Sequence, residues 1–168
     1  MGKLEKCQAG DLVRFRLANP DDFNQIAELR WGLKTGDMAD FDQEERGRFV
    51  AFFADWLLRS ENRSIHFHWV AEHGGRLIAV MSVRKIQMLL SPRKWKGCWA
   101  YLANVYTCPD FRGYGVDADL LFEVTRWAKH ENIAGMIVWP RPNKAQFYES
   151  AGFEKQGSRL VLRLSDNC

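Results

Sequence analysis

Polar and apolar positions change period several times along this chain, and each change marks an element. Leu12 to Leu17 alternates, which predicts a β-strand. Asn19-Pro20-Asp21-Asp22 has a capping residue, a first-turn proline and acids beside the positive end, so it predicts a helix start. Phe23, Ile26, Ala27 and Arg30–Trp31 continue at helical spacing until Lys34-Thr35-Gly36-Asp37 breaks it. A second helix begins at about Asp42, with Phe49, Phe52, Phe53, Trp56 and Leu57 on one stripe expected to be a buried face. His66 to Ala71 reads as a strand, His73-Gly74-Gly75-Arg76 as a tight turn and Leu77 to Val83 as an apolar partner strand. A turn from Ser91-Pro92 to Gly97 leads into a strand over Trp99 to Thr107. Val116, Leu120, Leu121, Val124, Trp127 and Ala128 predict a helix of about four turns. Met136 to Trp139 follows as a short strand, with Trp139 and Pro140 ending it. Asn143 to Ala151 forms a helix stopped by Gly152, and alternation over Leu160 to Leu164 gives a last strand.

The resulting order, β-α-α-β-β-β-α-β-α-β, belongs to the α/β class with a central mixed, largely antiparallel sheet. The strand–helix–strand crossover should place its two strands parallel. No linker or repeat interrupts it, so residues 1–168 are expected to form a single domain. With 46% hydrophobic residues disorder is excluded, and a net charge of +3 spread among 21 acids gives no reason to expect a nucleic-acid partner. The one compact basic knot, Arg93, Lys94 and Lys96 around Trp95, fits a solvated hairpin tip. Cys7, Cys98, Cys108 and Cys168 show no paired spacing, the amino terminus has no apolar segment, and no apolar run approaches the roughly 20 residues of a membrane span. A soluble cytoplasmic protein, monomer or homodimer, away from membranes, is therefore expected.

The chemistry concentrates in Tyr101 to Leu121. A strand stops at Pro109, Arg112-Gly113-Tyr114-Gly115 follows, and helical spacing starts at Val116. Glycines admit a close backbone approach, and the free N–H groups of a helix start attract anions, so this turn predicts a phosphate cradle.

That turn after the fourth strand, and the later segment Asn143-Lys144-Ala145-Gln146-Phe147-Tyr148-Glu149-Ser150-Ala151-Gly152-Phe153, together resemble the GNAT superfamily of N-acyltransferases. The close likeness covers about residues 99–155. It implies a single GNAT-like domain that transfers an acyl group, most simply acetyl from acetyl-CoA, to a primary amine of a small molecule. Acyl-CoA and an amine are then the expected partners. The diphosphate would meet the amides of Arg112, Gly113, Tyr114, Gly115, Val116 and Asp117. The pantetheine arm would lie along Val105, Tyr106 and Thr107 as an added strand. Asn143 would contact that arm, and Tyr148 would protonate the departing thiolate.

Two positions depart from the family pattern. Asp117 stands where a small residue is usual, and an outward-pointing carboxylate is expected there. Ala103 stands where many relatives carry a Glu, which leaves the base open among Glu28, Asp37, Asp40, Asp42, Glu44 and Glu45, with Asn104 and Tyr106 able to orient a water. Substrate choice is expected in the loop from Gly32 to Glu45, with Trp31, Asp37, Asp40 and Phe41 as candidate contacts; its acids suggest a cationic acceptor. His66 and His68 share a strand face, but no third ligand has suitable spacing, so no metal is expected. A non-catalytic GNAT-like module that binds acyl-CoA, and an unrelated nucleotide-phosphate binder using the glycine turn alone, are the rival readings.

Overall fold

The computed structural model describes residues 12–36, 42–59, 64–89, 92 and 97–155. Its elements are β1 (Arg14–Leu17), α1 (Phe23–Thr35), α2 (Gln43–Leu58), β2 (His66–His73), β3 (Arg76–Gln87), β4 (Cys98–Thr107), α3 (Val116–His130), β5 (Gly135–Val138) and α4 (Ala145–Ser150). The five strands form one sheet in the order β1-β2-β3-β4-β5, antiparallel except for the parallel pair β4–β5. The expected order holds through α4. The anticipated last strand (160–164) and the basic tip (93–96) lie outside the described residues.

Local chemistry explains the element ends. Asn19 accepts the Asp21 N–H at 2.8 Å while Asp22 accepts the Asn19 N–H at 2.8 Å, a reciprocal cap ahead of α1. Buried Asp22 also receives both terminal nitrogens of Arg16 at 2.6 and 2.8 Å, and Arg16 Nε reaches Glu72 at 2.7 Å. The guanidinium bonds hold the Asp22 carboxyl below the usual carboxylate range despite its burial. One ion cluster thus ties β1, the start of α1 and β2 together. Two consecutive positive-φ glycines, Gly74 and Gly75, close the β2–β3 hairpin in the way that suits the strand twist.

The sheet separates two apolar layers. On one face Phe23, Ile26, Leu29, Ala54 and Leu57 of α1 and α2 cover Val70, Val80 and Tyr106. On the other, Val116, Leu120, Leu121 and Val124 of α3 cover Met81, Val83, Ala100 and Leu102. Two expectations need correction. Phe52 is 66% exposed, because the α2 stripe is wider than the surface beneath it; Ala54 and Leu57 are the buried contacts. Strand β3 continues four residues past Val83, since Arg84 to Gln87 pair with Tyr101 to Cys98.

Candidate active site

Strand β4 changes character halfway along. Its pairing with β3 slips between Val80 and Ser82, so Asn104 and Val105 together oppose the single residue Met81. Asn104 has φ of +50°, a left-handed conformation that Asn tolerates better than most residues. This bulge reverses which side chains face which helices. Ala100 and Leu102 lie in the α3 layer, whereas Tyr106 and Cys108 lie in the α1 layer.

Pairing of β4 with β5 covers only Trp99 to Leu102. Beyond that point no described strand lies along the outer edge of β4. The Cys108 N–H bonds Ile78 O at 2.8 Å, so Tyr106 also points its main chain toward β3. By alternation, Val105 and Thr107 present theirs to the open edge. The Thr107 carbonyl already accepts Arg112 Nε at 2.9 Å, and the same guanidinium lies 5.5 Å from the Tyr106 ring centroid.

The open edge runs into the glycine turn. Gly113 and Gly115 have φ of +83° and +81°, and a Cβ on either would meet nothing within 4 Å. Glycine is needed there for backbone conformation, and the space above the turn is open. Gly115 begins α3 without a side-chain cap, which leaves first-turn amides available to an anion. Tyr114 is exposed, whereas Val116 is buried and packs its side chain into the core. Asp117 differs from expectation: its carboxylate folds back to accept the Ala118 N–H at 3.1 Å, because that donor lacks a helical partner.

Tyr148 stands across from this turn, only 6% exposed, with edge-on contacts to Phe147 and Phe153. Burial raises its hydroxyl above the ordinary phenol value, and the charges of Asp117 and Tyr101 add to the shift. No hydrogen bond to this hydroxyl occurs among the described residues, and it is not a sealed orphan; Trp69 Nε1 alone among them has that status. An apolar cleft of about 260 Å³ lies between α3 and α4, bounded by Ala118, Leu121 and Phe122 of α3 and by Phe147 and Ser150 of α4; Tyr148 does not line it. Asn143 is exposed in the 3-10 turn Pro142–Lys144, one residue too early to cap α4, which starts at Ala145.

Several expected residues serve other purposes. Glu28 pairs with Arg46 at 2.7 Å, joining α1 to α2. Asp42 caps α2 by accepting the Glu44 N–H at 2.9 Å, and Glu44 and Glu45 are exposed in that first turn. Trp31 packs its ring 5.4 Å from Phe49. Asp37, Asp40 and Phe41 lie outside the described residues. Cys98 is half-buried and Cys108 buried, and neither is in a disulfide.

Sequence reading missed a buried polar chain beneath the bulge. Arg30 Nη1 donates to Asn104 Oδ1 at 3.3 Å, Asn104 Nδ2 donates to Ser82 Oγ at 3.2 Å, and Ser82 Oγ lies 2.8 Å from His68 Nδ1. Burial lowers the His68 pKa to about 4, with His66 acting in the same direction, so the imidazole is neutral near pH 7. His66 and His68 stack with centroids 6.5 Å apart, and no group of three metal-binding side chains occurs among the described residues. One signal was available: Asn104 interrupts the otherwise apolar run Leu102-Ala103-Asn104-Val105.

Residues 23–153 match the model of the acetyltransferase (GNAT) family. Solved structures share the fold. A predicted acetyltransferase from Clostridium acetobutylicum, determined with acetyl-CoA, is 21% identical over 91% of this chain and 97% of its own, with a TM-score of 0.71. Glucosamine-6-phosphate N-acetyltransferase from Arabidopsis thaliana is 17% identical over 92% and 99%, with a TM-score of 0.64. An aminoglycoside N-acetyltransferase in complex with CoA is 18% identical over 95% and 97%, with a TM-score of 0.67. Comparison with curated protein sequences finds no match.

Proposed function

Because the chain belongs to the acetyltransferase (GNAT) family, we propose that it moves an acetyl group from acetyl-CoA to a primary amine of a small molecule by direct attack. The observation that carries this reading is the continuity of three features. Among the described residues the edge of β4 at Val105 to Thr107 is open and leads into the start of α3, and the Tyr148 hydroxyl, without a hydrogen-bond partner among them, feels the charge of Asp117 in that start. These features suit acetyl-CoA: an anion-accepting turn, a strand edge for an amide-bearing arm, and a phenol for a sulfur leaving group. When bound, acetyl-CoA supplies the activated thioester.

The chain's own residues then have definite tasks. Amides from Arg112 to Asp117 hold the diphosphate, and the main chain of Val105 and Thr107 aligns the arm. Alignment of amine and carbonyl supplies much of the rate gain. The Val105 N–H steadies the carbonyl oxygen as negative charge grows on it. The amine nitrogen forms a bond to the carbonyl carbon, the carbon–sulfur bond breaks, and sulfur leaves as thiolate. The amine's surplus proton goes to water in the site, consistent with Ala103 on the strand. Tyr148 gives its proton to the thiolate. A phenol of pKa above about 10 is protonated at neutral pH and hydrogen-bonds well to a thiolate of about 8.5. Tyr148→Phe should therefore lower kcat by roughly a hundredfold with the acetyl-CoA dissociation constant unchanged. An undiminished kcat would remove the assignment.

The acceptors named for the relatives above, an aminoglycoside and a phosphorylated amino sugar, support a small-molecule amine as the class. A second reading, an acyl-CoA-binding module without turnover, is favoured by the Asp117 carboxylate on a first-turn amide and by Ala103. Incubation with acetyl-CoA and an amine panel separates them: CoA release supports the enzyme, and binding without release supports the module.

A further inference from the structure

Arg30 and Lys34 lie one turn apart on the same face of α1, with Arg30 half-buried. Arg141, in the segment between β5 and α4, donates Nη2 to the carbonyl of Leu33 at 3.3 Å and so rests on the last turn of α1. The Lys34 ammonium is pulled below its ordinary pKa first by Arg30, then by burial and by Arg141, so both arginines act on the lysine. Several other cations have acids: Arg16 has Asp22 and Glu72, Arg46 has Glu28, and Lys85 has Glu131. Among the described residues no carboxylate lies within ion-pair distance of Arg30, Lys34 or Arg141.

The negative end of α1 attracts Lys34 and Arg141 without any ligand. It does not account for Arg30, which lies more than a turn before the helix end. Arg30 spends one of its five donors on the neutral Asn104 carbonyl at 3.3 Å. Its other nitrogens are not sealed from solvent, so they face accessible space. Burial lowers the Arg30 pKa, and Tyr101 opposes that shift. Asn104 adjoins Val105 in the bulge of β4, so the bond from Arg30 sets this guanidinium on the α1 side of the strand edge proposed to hold the thioester. Tyr101 and Trp139, with ring centroids 4.6 Å apart, add an aromatic wall.

We propose that the acceptor carries an anionic group, carboxylate or phosphate, beside its amine, and that Arg30, Lys34 and Arg141 bind that group. This deepens the acetyltransferase reading and rests on it. It runs against the cationic acceptor suggested by the acids of the α1–α2 loop. Of those acids Asp42 serves as a cap, and Glu28 within α1, a candidate base, is neutralised by Arg46. A guanidinium pair meets a carboxylate or phosphate with directed donors, and a third cation adds charge.

The test has a binding arm and a kinetic arm. Inorganic phosphate and glutarate are titrated by calorimetry into protein saturated with desulfo-CoA, which occupies the glycine turn. One of the two anions should bind, identifying phosphate or carboxylate as the preferred group. That binding should be lost in the Lys34→Gln/Arg141→Gln double variant, whose exposed positions spare the core. Binding of neither anion, or binding unaffected by the double variant, overturns the proposal. In the kinetic arm, an amino acid is compared with its amide, and an amino sugar with its phosphate. The anionic member should be preferred roughly ten- to hundredfold in kcat/KM, a preference that Arg30→Gln removes and Arg30→Lys partly restores. Preference for a polyamine overturns it. So does a weaker acetyl-CoA dissociation constant in these variants, which would assign the cations to the coenzyme. If desulfo-CoA does not bind, the acetyltransferase reading fails, and the anion titration on free protein still reports on the three cations.

Discussion

Replacing Asp117 by Asn removes one negative charge from the start of α3 while leaving an oxygen able to accept the Ala118 N–H, now at 3.1 Å from the carboxylate. The two effects of the charge have opposite signs. Against the helix dipole it is favourable by about 0.3–1 kcal/mol. Against a diphosphate on the neighbouring amides it is unfavourable. At a separation of about 6 Å, two like unit charges repel by about 0.7 kcal/mol in bulk water and by about 3 kcal/mol at an effective dielectric constant of 20. Asp117→Asn should therefore tighten desulfo-CoA binding by about three- to hundredfold, while melting changes only slightly because the cap survives. Asp117→Gly should tighten binding similarly but melt lower, having lost the cap as well. Isothermal titration at low and high salt is the assay. The gain should shrink as ionic strength rises, since screening acts on the repulsion. An unchanged or weaker dissociation constant at low salt would refute the idea that first-turn amides grip the diphosphate. A gain that ignores salt would refute the electrostatic cause.

Other consequences are directly measurable. The His68 pKa falls from 6.5 unfolded to about 4 folded, so between those values the unfolded chain binds a proton that the native state refuses. Stability should rise with pH across that window, by up to about 3 kcal/mol, and be fully present above pH 6.5; His68→Gln should flatten that part of a urea-melt pH series. Gly115→Ala meets no steric obstacle but forces an alanine to φ of +81°, so chemical denaturation should show a loss of about 1–2 kcal/mol. Asp22→Ala strands Arg16 and removes the amide cap at Asn19; a loss of about 3 kcal/mol is expected, and one below 1 would mean that Glu72 suffices as partner.

How far the site could be read from sequence depends on the separation between the residues involved. The glycine turn was legible because Gly113, Gly115 and the first turn of α3 are neighbours in the chain, and their backbone needs follow from residue type. Tyr148 was singled out through the likeness of its surrounding segment, and its role is a proposal. The function of Asn104 was not: a bulge is a relation between two strands, and the slip against Val80 and Ser82 involves residues more than twenty positions away. The α2 stripe misled for a related reason. Periodicity identifies an apolar face, but its width in contact depends on the partner surface, and Phe52 lies beyond that surface.

Local rules acting within a few residues were enough to determine the helices and strands through α4, their order, and the glycine turn that opens α3. Capping, glycine conformation and hydrophobic period all operate at that range. Tertiary structure alone decided that β4 parts from β5 after Leu102, and that the Asp117 charge acts on Tyr148. It also brought Arg141 onto the end of α1 beside Arg30 and Lys34. Charges more than a hundred residues apart in sequence interact only once the sheet has brought their elements together, and Coulomb energy depends on distance through space.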